Sequence, residues 1–205
     1  MPSVLNVGGS TKTIPLPDHY RGWDHLLLDI DARGDVDMVC DARELQTQEP
    51  AHFDAVYCSH NLEHYYPHDV PRVLRGFVHV LKPGGFAEIR VPDVGWVMRV
   101  VVEKSMDIDD VLYVSPAGPI LVRDVFYGWH VEIERSGKDF FAHKTGFTPK
   151  SLIAALRAAG FAAGAACEPL GVYEVRVVGF LRPPDELQCR LFNLTHSTPG
   201  APARR

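Results

Sequence analysis

Cysteine is scarce in these 205 residues: there are four, at positions 40, 58, 167 and 189, with no CxxC pair. That spacing excludes a zinc ribbon or a disulfide framework and reads as thiols in a reducing compartment. No apolar run approaches the ~18 residues of a membrane-spanning helix. The N-terminus lacks a basic, apolar leader with a cleavage site. Both absences lead to the expectation of a cytoplasmic protein with no membrane partner. Basic excess is missing too: 21 Lys and Arg stand against 26 Asp and Glu, a formal net charge of −5. No general positive field or arginine-rich aromatic stripe draws the chain to nucleic acid. The glycines spell no GxGxxG, which argues against a nicotinamide oxidoreductase.

What is present is ordinary globular composition, 46% hydrophobic and 23% charged, in a length that suits one domain with its own core. Apolar runs at 4–7, 25–30, 36–39, 55–58 and 86–91 read as five strands. Between the first two, residues 10–22 are polar and carry Pro15 and Pro17, so an irregular loop or one short helical turn replaces a crossover helix. Residues 69–81 place Val70, Val73, Leu74, Phe77 and Leu81 at helical spacing, and Lys82-Pro83-Gly84-Gly85 stops that helix. The segment 94–142 is less regular and is read as a lid, with helices at 94–104, 106–112 and 120–129. Its Trp96, Phe126, Trp129, Phe140 and Phe141 are candidates for the wall of an apolar cavity or for ordinary lid packing. Val97 and Val100–Val102 form an apolar run that suits a second subunit. A helix at 148–159 has Thr148 as N-cap and Gly160 as its stop, and 161–167 with 172–181 suggests a terminal hairpin. The expected fold is α/β: a doubly wound, Rossmann-like, mostly parallel sheet with an antiparallel C-terminal strand and a reduced N-terminal region. Residues 1–181 form the domain and 182–205, rich in Pro, Thr and Gly, a tail.

The first strand ends in Gly8-Gly9, which lets the backbone turn closely or lie against a ligand; paired glycines also serve turns alone. Asp29, with Asp31 as competitor, ends the second strand, where a carboxylate accepts ribose hydroxyls. Asp41 follows the third strand and suits either an adenine amino group or a helix cap. Residues 60–64, His-Asn-Leu-Glu-His, spell an inverted zinc-peptidase signature, HxxEH. That reading is rejected, because the motif leaves a buried strand rather than lying on a helix, and no metal site is expected.

Leu5-Asn6-Val7-Gly8-Gly9-Ser10, Asp29, Asp41, Ser59-His60-Asn61-Leu62-Glu63-His64 and Leu81-Lys82-Pro83-Gly84-Gly85 together resemble small class I methyltransferases of the UbiE/type 11 kind, which use S-adenosylmethionine (SAM). The match covers roughly residues 4–93, with a later echo in HKTGFT at 143–148. The resemblance implies cofactor contacts from Asn6, Gly8, Gly9, Ser10, Asp29, Asp41, Ala42, Ser59 and His60. Gly8 and Gly9 would lie by the methionine part, Asp29 by the ribose and Asp41 by the adenine. Two departures stand out: Ser10 replaces the family's last glycine, and the chain opens directly on the first strand. They suggest a pocket that is open, weakly binding, or completed by a second copy or a partner subunit.

Methyl transfer requires mainly an in-line acceptor, with a base where a hydroxyl or protonated amine is methylated. His60, His64, His130 and His143 are the base candidates; His130 and His143 fall in or beside the lid. Asp124 is placed to orient one of them and Tyr127 to bind the acceptor, while Lys144 suits an acidic acceptor. The expected activity is methylation of an oxygen or nitrogen on a small molecule. The alternative is a catalytically weak protein of the same fold that binds cofactor or partner.

Overall fold

The computed structural model describes residues 1–32, 34–116 and 118–194. Strand β1 (Ser3–Val7) leads through a 3-10 turn, Asp18–Tyr20, into β2 (Asp24–Asp29) and β3 (Met38–Val39). A second 3-10 segment, Ala42–Thr47, precedes β4 (Phe53–Ser59), and a third, Leu62–His64, precedes α1 (Val70–Val80) and β5 (Leu81–Pro92). The excursion that follows contains α2 (Val94–Glu103), β6 (Val111–Ser115), β7 (Gly118–Leu121), α3 (Val122–Tyr127), α4 (His130–Ser136) and a 3-10 turn at Asp139–Phe141. The chain then forms α5 (Pro149–Ala159), β8 (Ala163–Cys167), β9 (Glu174–Phe180) and α6 (Glu186–Leu191).

Seven strands make one sheet in the order β3-β2-β1-β4-β5-β9-β8. The first five are parallel, and β9 runs antiparallel between β5 and β8. The chain moves outward from β1 to β3 and then returns to β4 on the other side. The switch point therefore lies between β1 and β4, where a parallel sheet opens a crevice at its carboxyl edge.

The two faces of the sheet are covered differently. Leu5, Val7, Val56, Ala87, Ile89, Val91, Val175 and Val177 pack under α1, α5 and the Ala42–Thr47 turn. Gly76 of α1 permits this approach, since a Cβ there would lie 2.7 Å from Leu45 Cβ. The other face carries Tyr20, Tyr57, Phe86, Phe180 and Phe192. Polar side chains alternate with them along β5 and β9: buried Glu88 accepts from Arg176 Nε at 2.7 Å and from Tyr20 Oη at 2.9 Å, and lies 2.7 Å from His19 Nε2. With the β1–β2 crossover reduced to a loop, aromatic rings do the covering that a helix would otherwise do.

Several expectations need correction. Residues 106–112 are not a helix. The Asp110 and Asp107 carboxylates accept from Asp107 N at 2.7 Å and Ile108 N at 2.6 Å, a local turn that competes with helix formation. Val111 onward then pairs with β7 as a separate hairpin. The helix expected at 120–129 is confined to α3, because Asp124 accepts from Leu121 N at 2.8 Å and fixes its start. Gly128 ends it at φ 96°, and a Cβ there would sit 2.2 Å from Phe141 O. Helix α4 went unforeseen. Lys82–Gly85 does end α1, but it continues inside β5 as an extended bulge, the register jumping from Phe53–Leu81 to Ala55–Phe86. The third strand keeps only two residues. The expected tail begins with α6, whose start Asp185 caps through Gln188 N, and Phe192 is buried against Phe86 and Phe180. Of the valine run, Val97 and Val100 are buried within the lid's own cluster and only Val102 is well exposed.

Candidate active site

A cleft of about 860 Å³ opens at the carboxyl ends of β1, β2 and β4. Its glycine loop is shaped by the protein itself. Gly8 has φ +75°, and a Cβ there would fall 2.1 Å from Asn61 Nδ2; a Cβ at Gly9 would fall 2.3 Å from Asn6 Nδ2. Ser10 holds a left-handed φ of 55°, which costs a non-glycine residue ~1–2 kcal/mol. Its amide donates to Asp29 Oδ2 at 3.1 Å, and Asp31 N donates to Asp29 Oδ1 at 2.9 Å.

Asp41 caps the Ala42–Thr47 turn through Arg43 N at 2.9 Å and pairs with Arg43 Nη2 at 2.6 Å. Burial raises its carboxyl, but Arg43 outweighs this and holds it below the ordinary value. Both of the roles weighed for Asp41, cap and ligand acceptor, are thus sterically open, since it also lines the cleft.

The floor is an ion network at the ends of β4, β5 and β9. Arg90 donates to Tyr57 Oη at 2.7 Å and to both Glu174 oxygens at 3.0 and 2.6 Å. His60, at φ 50°, lies 3.4 Å from Glu174 Oε2 and 3.5 Å from Glu63 Oε1. Burial lowers the His60 ring, but the two carboxylates outweigh this and raise it to about 9. Glu174 is drawn down to about 2: burial raises it, while His60 and Arg90 more than offset that. The two carboxylates thus favour the protonated ring, which makes His60 a poor proton acceptor.

Asn6, Gly8, Gly9, Ser10, Asp29, Asp41, Ser59 and His60 all line this one cleft. Ala42 does not; it is buried in the core beside Leu45. The four residues expected in catalysis lie outside the lining. Asp124 and His130 do pair, through Oδ1 and Nδ1. Tyr127 is 67% exposed. His143 is turned inward, its Nδ1 2.9 Å from Val125 O and its Nε2 4.0 Å from Glu63 Oε1. Burial pushes its ring down.

The lid wall instead comes from Trp129, Glu132, Arg135, Phe140, Phe141 and Lys144, opposite Tyr66. Three of these aromatics were candidates from sequence, whereas Trp96 packs on Tyr173 and Phe126 on the lid cluster. Glu132, Arg135, Tyr57 and Arg90 were missed. Only the alternation of charge along β5 hinted at Arg90. Lys138 reaches back to Asp31 Oδ2 at 2.5 Å and latches the lid to the edge of β2.

Among the described residues no helix is long and apolar enough to cross a membrane. No curated protein matches the chain in sequence. Solved structures match its fold. One is a SAM-dependent methyltransferase from Archaeoglobus fulgidus, 16% identical over 87% of this chain and 86% of that one, TM-score 0.55. A second is a DhpI complex with S-adenosylhomocysteine (SAH), 16% identical over 89% and 77%, TM-score 0.52. A third is a complex between the Haloferax volcanii Trm112 methyltransferase activator and a methyltransferase, 14% identical over 90% and 83%, TM-score 0.54. A family model described as a methyltransferase domain matches residues 2–164, and with the parallel sheet and its glycine–acid cleft this makes the chain a member of that methyltransferase family.

Proposed function

We propose that the protein transfers a methyl group from SAM to an oxygen or nitrogen of a small-molecule acceptor. One observation carries this reading: Gly8–Ser10, Asp29, Asp41 and Ser59–His60, far apart in sequence, line a single cleft at the sheet's switch point. Its volume falls within the ~300–1,000 Å³ typical of small-ligand sites. The described relatives support the choice of cofactor, one by its SAM dependence and one by its bound SAH.

Bound SAM would supply an electrophilic methyl on its sulfonium for an acceptor lone pair, the bonding electrons staying on sulfur. The rest is positioning. Gly8 and Gly9 would present bare backbone, Asp29 would accept from ribose hydroxyls, and Asp41 would accept from the adenine amino group. His60, its protonated ring favoured, suits a carboxylate rather than a proton to be removed. Tyr66, Trp129, Phe140 and Phe141 enclose an aromatic or apolar acceptor, with Lys144 facing the cleft to meet an anionic substituent and Arg135 paired with Glu132. The domain runs past residue 181 to take in Phe192, which is buried on the sheet, with 94–142 as the lid that chooses the acceptor. His130, paired with Asp124 and next in sequence to Trp129 of the wall, is the base candidate in this reading, although it does not itself line the cleft. Tyr127 and His143 take no step in this reading.

The test is calorimetric titration with SAM and SAH beside NADH. Micromolar binding of SAH is expected, weakened at least about tenfold, or 1.4 kcal/mol, in Asp29→Ala, with no NADH binding. NADH binding, or SAH binding indifferent to Asp29→Ala, overturns the reading. A second reading, a partner-dependent or weak enzyme, draws on the engaged oxygens of Asp29 and Asp41 and on the relative bound to an activator. It predicts no SAH binding by the chain alone and recovery with a partner subunit.

A further inference from the structure

The Glu63 carboxylate is a buried charge whose oxygens lack hydrogen-bond donors. It is 1% exposed, and neither oxygen accepts a hydrogen bond. Its neighbours are His60 Nδ1 at 3.5 Å and His143 Nε2 at 4.0 Å, neither of them a hydrogen bond. Burying a carboxylate costs several kcal/mol in general, and the nearby His60 supplies charge but no hydrogen bond to either oxygen.

Two histidines beside it are oriented as metal ligands are. His64 Nδ1 lies 3.1 Å from Ala142 O, and His143 Nδ1 lies 2.9 Å from Val125 O. A carbonyl only accepts, so each Nδ1 carries the proton and each Nε2 keeps its lone pair. Fixing the tautomer by a backbone carbonyl is the outer-shell arrangement that accompanies metal-bound histidine.

We propose that Glu63, His64 and His143 bind one divalent transition-metal ion of the zinc class, joining the loop after β4 to the end of the lid. The three donor atoms already lie within 4.8 Å of one another. A tetrahedral ion with bonds of ~2.1 Å needs donors about 3.4 Å apart, so side-chain movements of about 1 Å complete the set. The backbone is in place: Lys144 N and Thr145 N donate to Glu63 O at 2.8 and 3.2 Å. Two imidazoles and one carboxylate select zinc, cobalt or nickel over magnesium or calcium, which take oxygen ligands. His64 also lines the cleft, so the ion would lie at its edge.

This revises the expectation of no metal site without reviving the HxxEH peptidase pattern. His60 is turned toward Glu174 and is not among the three donors. The proposal stands apart from the methyl-transfer reading, and its test uses neither SAM nor activity.

The full chain, stripped with a chelator, is titrated with Co²⁺ and followed by visible absorption, then with competing Zn²⁺. One equivalent of Co²⁺ with d–d bands of a four- or five-coordinate site is expected, displaced by one equivalent of Zn²⁺. His143→Ala and His64→Gln should each weaken Zn²⁺ binding by at least about tenfold, and His130→Ala should leave it unchanged. His64→Gln serves if loss of the more buried His143 perturbs folding, with circular dichroism as the check. Absence of the bands, binding spread over several equivalents, or equal affinity in wild type and His64→Gln overturns the site. A failed SAH titration leaves this result untouched.

Discussion

Ser10 holds a backbone conformation that glycine adopts freely, at the turn where a cofactor would approach most closely. Ser10→Gly should raise unfolding stability by about 1 kcal/mol, because the left-handed penalty disappears and only part returns as chain entropy. Denaturant midpoints check this. Gly8→Ala has no such freedom: its Cβ would meet Asn61 Nδ2 at 2.1 Å with φ fixed at +75°. It should abolish measurable SAH binding, whereas Gly9, facing Asn6, should tolerate alanine only if the Asn6 amide swings away. Glycines that looked like room for a ligand are, first of all, room for two asparagine side chains.

At the level of elements, α1 and the lid make opposite demands. Gly76 lets α1 rest on Leu45, so Gly76→Ala should destabilise the fold by about 2 kcal/mol through overpacking while leaving cleft residues untouched. Gly128 closes α3 against Phe141 O, so Gly128→Ala should displace the 139–143 segment. The expected readout is faster amide exchange there, a raised acceptor KM and a nearly unchanged SAH affinity. Equal losses of SAH and acceptor binding would contradict a lid confined to the acceptor side.

At the scale of the whole molecule, the buried charge of Glu88 ties His19, Tyr20 and Arg176 together on one face of the sheet. Burial raises its carboxyl, and His19 and Arg176 more than offset that, so it titrates below its ordinary value of 4.5. Its stabilising contribution is present above the unfolded value and fades as pH falls through the lower folded one. Glu88→Gln should cost about 3 kcal/mol at neutral pH by leaving Arg176 buried without its partner. The gap from wild type should narrow in acid below the unfolded pKa; urea melts at pH 7 and pH 3.5 measure both.

The sequence by itself determined the parallel sheet and the residues at its carboxyl edge. Strand runs, helical spacing in 70–80 and punctuation by Gly8-Gly9 and Gly160 are local signals, and local propensity agreed with the final fold there. Asp29, Asp41 and Ser59–His60 were legible because each follows a strand, and strand ends converge in this topology. The lid was not legible. Its helix at 106–112 failed against aspartate turns, α4 lacked a strong pattern, and its aromatics divided between wall and packing by contacts distant in sequence. Only the tertiary structure decided that His143 turns inward, that Glu63 is left without a hydrogen bond and that Phe192 covers the sheet. Each depends on which distant chain segment fills the neighbouring space, a matter of packing and charge compensation that no local pattern encodes.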